Sequence, residues 1–355
     1  MDGNSPQNHL RLENQTHIHV SVAQRHINII YLSVGKGREV MINPIKIGVE
    51  SKMFDNFALD CYRDCPFYYY CRIVLGVVKP GAKKTAAEFG AAIHLSLEHF
   101  YKNGMTDTAI KEAMTLFLGS FKEDLADDKR TLGKGLELLG KYFSRYRNEP
   151  FNVVDTEVGG AVELGDYLYT FRIDLITEWL SPKGIYGWDH KTTSSLSRMV
   201  VKPHNQGTGY VYVLNQHYEN VLGFIFNTIG VYKSNEEMDK SAPKIPSPKT
   251  GKLIYATKER EILVRMPTSR SQIEVDQWKK ETLYLIHQIE ESQREGVWPR
   301  KTKFCTAYAS KCQYLDLCQA QEPERILEAL IAGEIYQIDP WQPYKNEGEI
   351  VEEEG

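Results

Sequence analysis

Two segments hold the residues best suited to chemistry: Phe171-Arg172-Ile173-Asp174-Leu175-Ile176 and Gly187-Trp188-Asp189-His190-Lys191-Thr192. Both read as strands, and Ser181-Pro182-Lys183-Gly184 between them reads as a hairpin turn. Strand alternation puts Asp189 and Lys191 on one face and turns His190 to the other. A turn centred near residues 181–183 sets Asp174 roughly opposite positions 189 to 191. Two carboxylates beside an amine make a hard-oxygen site for Mg²⁺ or Mn²⁺. The lysine can hold and polarise a water there, which suits metal-assisted hydrolysis of a phosphodiester. Asp174 lies among Ile173, Leu175 and Ile176, where an unpaired charge is costly. Taken alone, Asp-x-Lys reads as a surface cross-strand pair of little worth, so the surrounding residues decide.

The elements that must position this hairpin follow from periodicity. Residues 17–48 alternate Val and Ile with polar residues and read as β-rich. Residues 53–75 read as helical, and Phe89, Ile93, Leu97 and Phe100 mark a clear helix over 86–101. Helices are expected over 106–123 and 129–147, then strands near 152–163, 167–179 and 185–193. A helix over 204–219 leads to a strand over 221–232. Residues 234–252, rich in Lys, Pro and Ser, read as a loop or hairpin arm before a strand over 253–265. A long helix over 271–294 and a short one over 322–333 close the series. The order indicates an α/β (α+β) domain around a mixed central sheet flanked by helices. The expected division is a β-rich extension over 1–50, the main domain over 51–320, a C-terminal helix and extension over 321–345, and an acidic tail over 346–355. Gly135 to Lys141 has the spacing of a phosphate-binding loop. The next residue is Tyr142, which cannot supply the short Ser/Thr hydroxyl that ligates Mg²⁺, and the segment reads as amphipathic helix.

Further residues join the constellation. His94 sits on the helix over 86–101, with Gly90 one turn before it to admit a close neighbour. Gln206 and Tyr210 share a face of the helix after the hairpin, able to meet a phosphate or position the lysine. In this order, His94, Asp174, Asp189-His190-Lys191 and Gln206-Gly-Thr-Gly-Tyr210 resemble the RecB-like nuclease domain of the PD-(D/E)XK superfamily over about residues 50–320. The family often has Gly-Arg-x-Asp where this chain has Phe171-Arg172-Ile173-Asp174. The resemblance implies a restriction-endonuclease-like core. It implies that His94, Asp174, Asp189 and the main-chain carbonyl of His190 bind the metal. It assigns Asp174, Asp189 and Lys191 as catalytic, with Lys191 orienting the attacking water. Gln206 and Tyr210 would support the site and touch DNA, and Glu157 would assist a second metal. An imidazole ligand admits Mn²⁺ beside Mg²⁺.

The six cysteines fall in two groups, Cys61, Cys65 and Cys71 early and Cys305, Cys312 and Cys318 late. Three thiolates cannot complete a four-coordinate site, and Cys65 in Asp64-Cys65-Pro66 is the natural fourth, with Cys61 or Cys71 as substitutes. Four thiolates suit zinc or an iron–sulfur cluster, and spacing does not choose. The resemblance favours a 4Fe-4S cluster on Cys65, Cys305, Cys312 and Cys318. One branch of the family, including the AddB subunit and CRISPR-associated nucleases, carries one cysteine before the nuclease motifs and three after. The late triplet there is often C-x2-C-x5-C, whereas the first gap here is six residues. Such a cluster would staple residue 65 to residues 305–318 and add folding free energy.

Charge gives no global invitation to nucleic acid: the net charge is −4. Five Glu in the last ten residues account for the deficit, and the remainder is at +1. Local basic clusters offer phosphate contacts: Arg300, Lys301 and Lys303, and Lys244, Lys249, Lys252, Lys258 and Arg260. Tyr68, Tyr69 and Tyr70 read either as base-stacking aromatics or, more plainly, as core. No apolar run marks an export or membrane segment, so the expected setting is cytoplasmic and reducing. The resemblance implies a DNA exonuclease with single-strand preference, in recombination or repair, in a phage or bacterium. The competing expectation is a DNA-binding or scaffolding subunit that works with a helicase or recombination partner.

Overall fold

The computed structural model describes residues 18–21, 30–34, 38–42, 51–80, 84–250, 252–309, 311–320 and 323–342. The acidic tail over 346–355 lies outside the described residues.

Three strands, β1 (Ile18–Ser21), β2 (Ile30–Val34) and β3 (Arg38–Ile42), lead to a short strand β4 (Met53–Phe54). Helix α1 (Asn56–Asp64) starts where the Asp55 carboxylate accepts the Ala58 N–H at 2.7 Å. A helical turn α2 (Pro66–Tyr69) continues as a wider turn over 70–74 into β5 (Val77–Val78). Helices α3 (Lys84–Lys102), α4 (Asp107–Ser120) and α5 (Leu132–Tyr146) follow, the last two capped by Thr106 and Thr131. The apparent phosphate-binding loop is therefore part of α5. Its Gly135 lies against the Phe117 ring, so close that a Cβ would overlap it.

Strands β6 (Phe151–Leu164), β7 (Tyr167–Leu180) and β8 (Lys183–Thr193) form an antiparallel meander. Helix α6 (Asn205–His217) carries the chain back to β9 (Val221–Gly230), which pairs parallel to β8. The anticipated arm is two small ladders, β10 (Glu236–Met238) with β13 (Thr257–Glu259) and β11 (Ile245–Pro246) with β12 (Leu253–Ile254). The continuous strand expected over 253–265 is thus three pieces, the last being β14 (Leu263–Thr268) beside β9. Its exposed N-terminal part serves the arm, while only 263–268 has a sheet edge to join. The long helix α7 (Gln272–Glu295) opens with a Ser271–Glu274 capping box and stops at Gly296 in the left-handed conformation. Then come α8 (Leu315–Gln319), α9 (Pro323–Ala332) and β15 (Gln337–Ile338), which pairs with β5.

The main sheet runs β14-β9-β8-β7-β6-β1-β2-β3, with β4 parallel to β7. One face packs Tyr169, Ile173 and Phe226 against α1, α6 and α7. The other packs Leu175, Trp188 and Ile225 against α3, α4 and α5. A separate core joins Phe67, Cys71, Tyr314 and Tyr336 at the cysteine end. The tyrosine run belongs to packing: Tyr69 is buried, Tyr70 stacks on Trp298, and Tyr68 meets Phe304 and Tyr314 edge-on.

The bulk at Phe171 is accommodated from the neighbouring strand. Gly160 pairs with Phe171, and a Cβ on it would come 2.8 Å from the ring. The glycine the family often places at the 171 position is here supplied across the ladder.

Candidate active site

Strand regularity fails where the chemistry sits. Ile173 packs in the core under α6 and α7, but Leu175 packs in the core under α3 to α5. Residues two apart on a regular strand would share a face. The flanking pairs Thr156–Leu175 and Val158–Ile173 leave Glu157 opposite Asp174. Glu157 has φ +51°, a left-handed conformation costing on the order of 1–3 kcal/mol for a residue with a side chain. This local break brings both carboxylates to one point.

Helix α3 supplies the third donor. Phe89, Ile93, Leu97 and Phe100 are fully buried, which leaves the neighbouring His94 at the rim of that packed stripe. Gly90 lets the helix close on β8, where a Cβ would stand 3.3 Å from Thr192 Oγ1. His94 Nδ1 lies 3.6 Å from Asp174 Oδ2. Ligand atoms of His94, Glu157 and Asp174 all lie within 4.8 Å of one another. Octahedral Mg²⁺ at about 2.1 Å from each oxygen spaces its ligands about 3–4.2 Å apart, and the 3.6 Å between His94 Nδ1 and Asp174 Oδ2 suits two ligands of one such ion.

The β7–β8 register Leu175–Trp188 places Asp174 across from Asp189. Asp174 Oδ2 accepts the main-chain N–H of His190 at 2.5 Å. Lys191 Nζ stands 2.9 Å from Asp189 Oδ1. Asp189 is buried, and its Oδ2 has no hydrogen-bond partner among the described residues. A buried carboxylate oxygen left bare is costly, and a cation would satisfy it. The donor set of hard oxygens and one imidazole therefore fits Mg²⁺ or Mn²⁺.

Electrostatics agree. Burial, then the Asp174 charge, pushes the Glu157 carboxyl up to about 7, although Arg172 pairs with it at 2.7 Å. Burial and Asp189 push Asp174 up as well. Burial lowers His94, so its imidazole is neutral and keeps a lone pair for a metal. Clustered carboxylates that resist ionisation are the expected state of a cation site without its cation.

His190 points to the opposite face, as strand alternation requires. Its Nδ1 meets Asn227 Nδ2 at 2.8 Å, and Asn227 Nδ2 also donates to Tyr142 Oη at 2.9 Å. Tyr142 Oη lies 2.7 Å from Tyr101 Oη, which accepts from Arg265. Arg265 pairs with Glu149 at 2.6 Å and lies over the Tyr146 ring. Nothing in the sequence pattern marks Asn227, Tyr142 and Arg265 as a unit, because three separate elements bring them together. On the other face Gln206 Nε2 donates to Tyr210 Oη at 3.0 Å, and buried Tyr210 feels the charges of Asp189 and Asp174.

At the cysteine end, Cys65, Cys305, Cys312 and Cys318 line one small pocket with Phe67, Tyr68 and Arg300. The Lys301 N–H points at Cys65 Sγ, 3.4 Å away. Cys61 and Cys71 do not line that pocket, and both are buried in packed cores. No three of the described cysteines bring their sulfurs within 4.8 Å of one another. A tetrahedral zinc site with Zn–S of about 2.3 Å would hold them about 3.8 Å apart. Arg300, Lys301 and Lys303 line an open cleft beside the pocket.

A meander followed by a parallel crossover, with carboxylates and a lysine at its strand ends, defines a nuclease-type α/β core. The chain matches the family model of the PD-(D/E)XK nuclease superfamily over residues 57–319 and belongs to that superfamily. Its members are phosphodiester-hydrolysing nucleases that typically use Mg²⁺ or Mn²⁺. Comparison with curated proteins gave no match. Among the described residues no helix is long and apolar enough to cross a membrane.

Proposed function

We propose that this chain is a deoxyribonuclease that works as an exonuclease, favours single strands and carries a structural 4Fe-4S cluster. One observation carries the reading: His94, Glu157 and Asp174 converge beside the Asp189–Lys191 pair. His94, Glu157, Asp174, Asp189 and the main-chain carbonyl of His190 would hold Mg²⁺ or Mn²⁺. The ion supplies positive charge for the phosphoryl oxygens and the attacking oxygen. Lys191 holds the attacking water in line and stabilises negative charge as it develops. Asp189 holds Lys191 in place through their 2.9 Å ion pair. Tyr210 and Gln206 brace Lys191 and border the path of the DNA.

Cys65, Cys305, Cys312 and Cys318 would hold the cluster: they line one pocket, and their sulfurs are not gathered to zinc distances. The Lys301 amide on Cys65 suits a thiolate. The cluster would tie α2 to the segment after α7. A reducing cytoplasmic setting, recombination or repair work and a helicase partner are consistent with this reading. The test is digestion of end-labelled single- and double-stranded DNA with Mn²⁺ or Mg²⁺, by wild type and Lys191→Ala. Wild type should degrade DNA and the variant should be slower by about 10²–10⁴-fold. Equal rates would overturn the assignment.

A further inference from the structure

The β-arm between β9 and β14 has no part in the site described above. Residues 240 to 258 contain Lys240, Lys244, Lys249, Lys252 and Lys258 and not one Asp or Glu, in a chain whose net charge is −4. Lys258, at the stem, is committed to Glu237 and Asp239. Toward the tip, Lys240, Lys244, Lys249 and Lys252 are exposed, and none has an acidic partner among the described residues. Unneutralised like charges held on one exposed hairpin make a local positive field that favours an external polyanion beside it.

The arm's origin says where that anion lies. Strands β8 and β9 run parallel, with Lys191 opposite Thr228 and Thr193 opposite Gly230. The arm leaves from the same sheet end, a few residues beyond the level of Lys191. Ligands of sheets with parallel strands gather at their carboxyl ends. The stem is fixed: Lys134 Nζ donates to Asn235, and Arg260 covers the Tyr232 ring. At about 3.3 Å per residue, the segment from Glu236 to Ile245 would span at most roughly 30 Å if fully extended, and its turns between β10 and β11 shorten that reach.

The chemistry of the tip selects the partner. Its cations are lysines, point charges suited to phosphates and not to bidentate base reading. Its one aromatic residue, Tyr255, has Lys244 over one face of its ring, and a single ring is no stacking platform for successive bases. We infer that the arm grips the phosphate backbone of nucleic acid flanking the bond to be cut, without reading its sequence. This rests on the nuclease reading for the position of that bond, but binding can be measured without cleavage.

The experiment uses the full chain in EDTA, titrated into a fluorescent DNA hairpin with a single-stranded overhang, followed by anisotropy over a range of salt. The variant carries Lys240→Ala, Lys244→Ala, Lys249→Ala and Lys252→Ala; a second variant places Arg at all four positions. Four lost phosphate contacts should reduce the slope of log affinity against log salt by roughly 3–4 and weaken binding at least about tenfold at 0.1 M salt. The Arg variant should bind like wild type, and hydrolysis of bis(p-nitrophenyl) phosphate, too small to reach the arm, should be unchanged in the Ala variant. Wild-type affinity and salt slope in the Ala variant would overturn the inference. So would a variant that still grips DNA but loses an acidic protein partner. Loss of binding would sustain the arm even if wild type cut no DNA, which separates the two readings.

Discussion

The carboxylate of Asp174 accepts the main-chain N–H of His190 across the β7–β8 ladder, at 2.5 Å. One side chain thus replaces a ladder partner at the point where β6 and β7 lose their regular alternation. The same oxygen stands 3.6 Å from His94 Nδ1. The bond spends one lone pair of the carboxylate and holds it beside His94 and Glu157.

Glu157 belongs with the principal ligands, because it converges with His94 and Asp174. Glu157→Ala should raise the Mn²⁺ concentration for half-maximal cleavage by at least about tenfold. Titration of activity with Mn²⁺ measures this, and an unchanged midpoint would leave Glu157 as only an Arg172 partner.

Proton and metal should compete. The Glu157 pKa rises from 4.5 to about 7 on folding. Protonation then favours the folded state, so the benefit is full below pH 4.5 and is lost as pH rises through about 7. Two and a half units correspond to at most about 3 kcal/mol. Melting of the metal-free chain should therefore fall between pH 5 and 7.5. The rise in Tm on adding Mg²⁺ should be larger at pH 8 than at pH 5. An equal rise at both values would contradict the convergence of carboxylates.

Asn227 bridges His190 and Tyr142 in a buried network. Asn227→Leu leaves both without that partner and should cost about 1–3 kcal/mol. Urea unfolding reads this directly, and a loss below about 0.3 kcal/mol would mean the network is dispensable.

Cys65 and Cys71 lie close in sequence, but only Cys65 lines the four-cysteine pocket. Anaerobically purified wild type should be brown, Cys65→Ser pale and unstable, and Cys71→Ser brown. A colourless wild type with stoichiometric zinc would end the cluster proposal.

Gly160 makes room for Phe171. Gly160→Ala should destabilise the chain by about 1–3 kcal/mol through overpacking. Phe171→Leu should recover part of the loss, because the clashing ring is gone. Additive losses in the double variant would show that the two residues do not share this space.

The sequence by itself determined the hairpin and its register. A turn near residues 181–183 brings Asp174 roughly opposite positions 189 to 191, which the Leu175–Trp188 register narrows to Asp189, and a period of two separates His190 from Lys191. Helical spacing likewise placed His94 and the Gln206–Tyr210 pair, because local periodicity is written in neighbouring residues. The tertiary structure alone decided three matters. The left-handed φ at Glu157 draws it to Asp174, a break invisible to periodic reading. Packing put Cys61 in the main core and turned Cys71 into the core beside the pocket, leaving Cys65 to line it. Arg265, Tyr142 and Asn227 meet only because β14, α5 and β9 share one face. Contacts between elements far apart in the chain depend on how layers stack, and no local pattern encodes that.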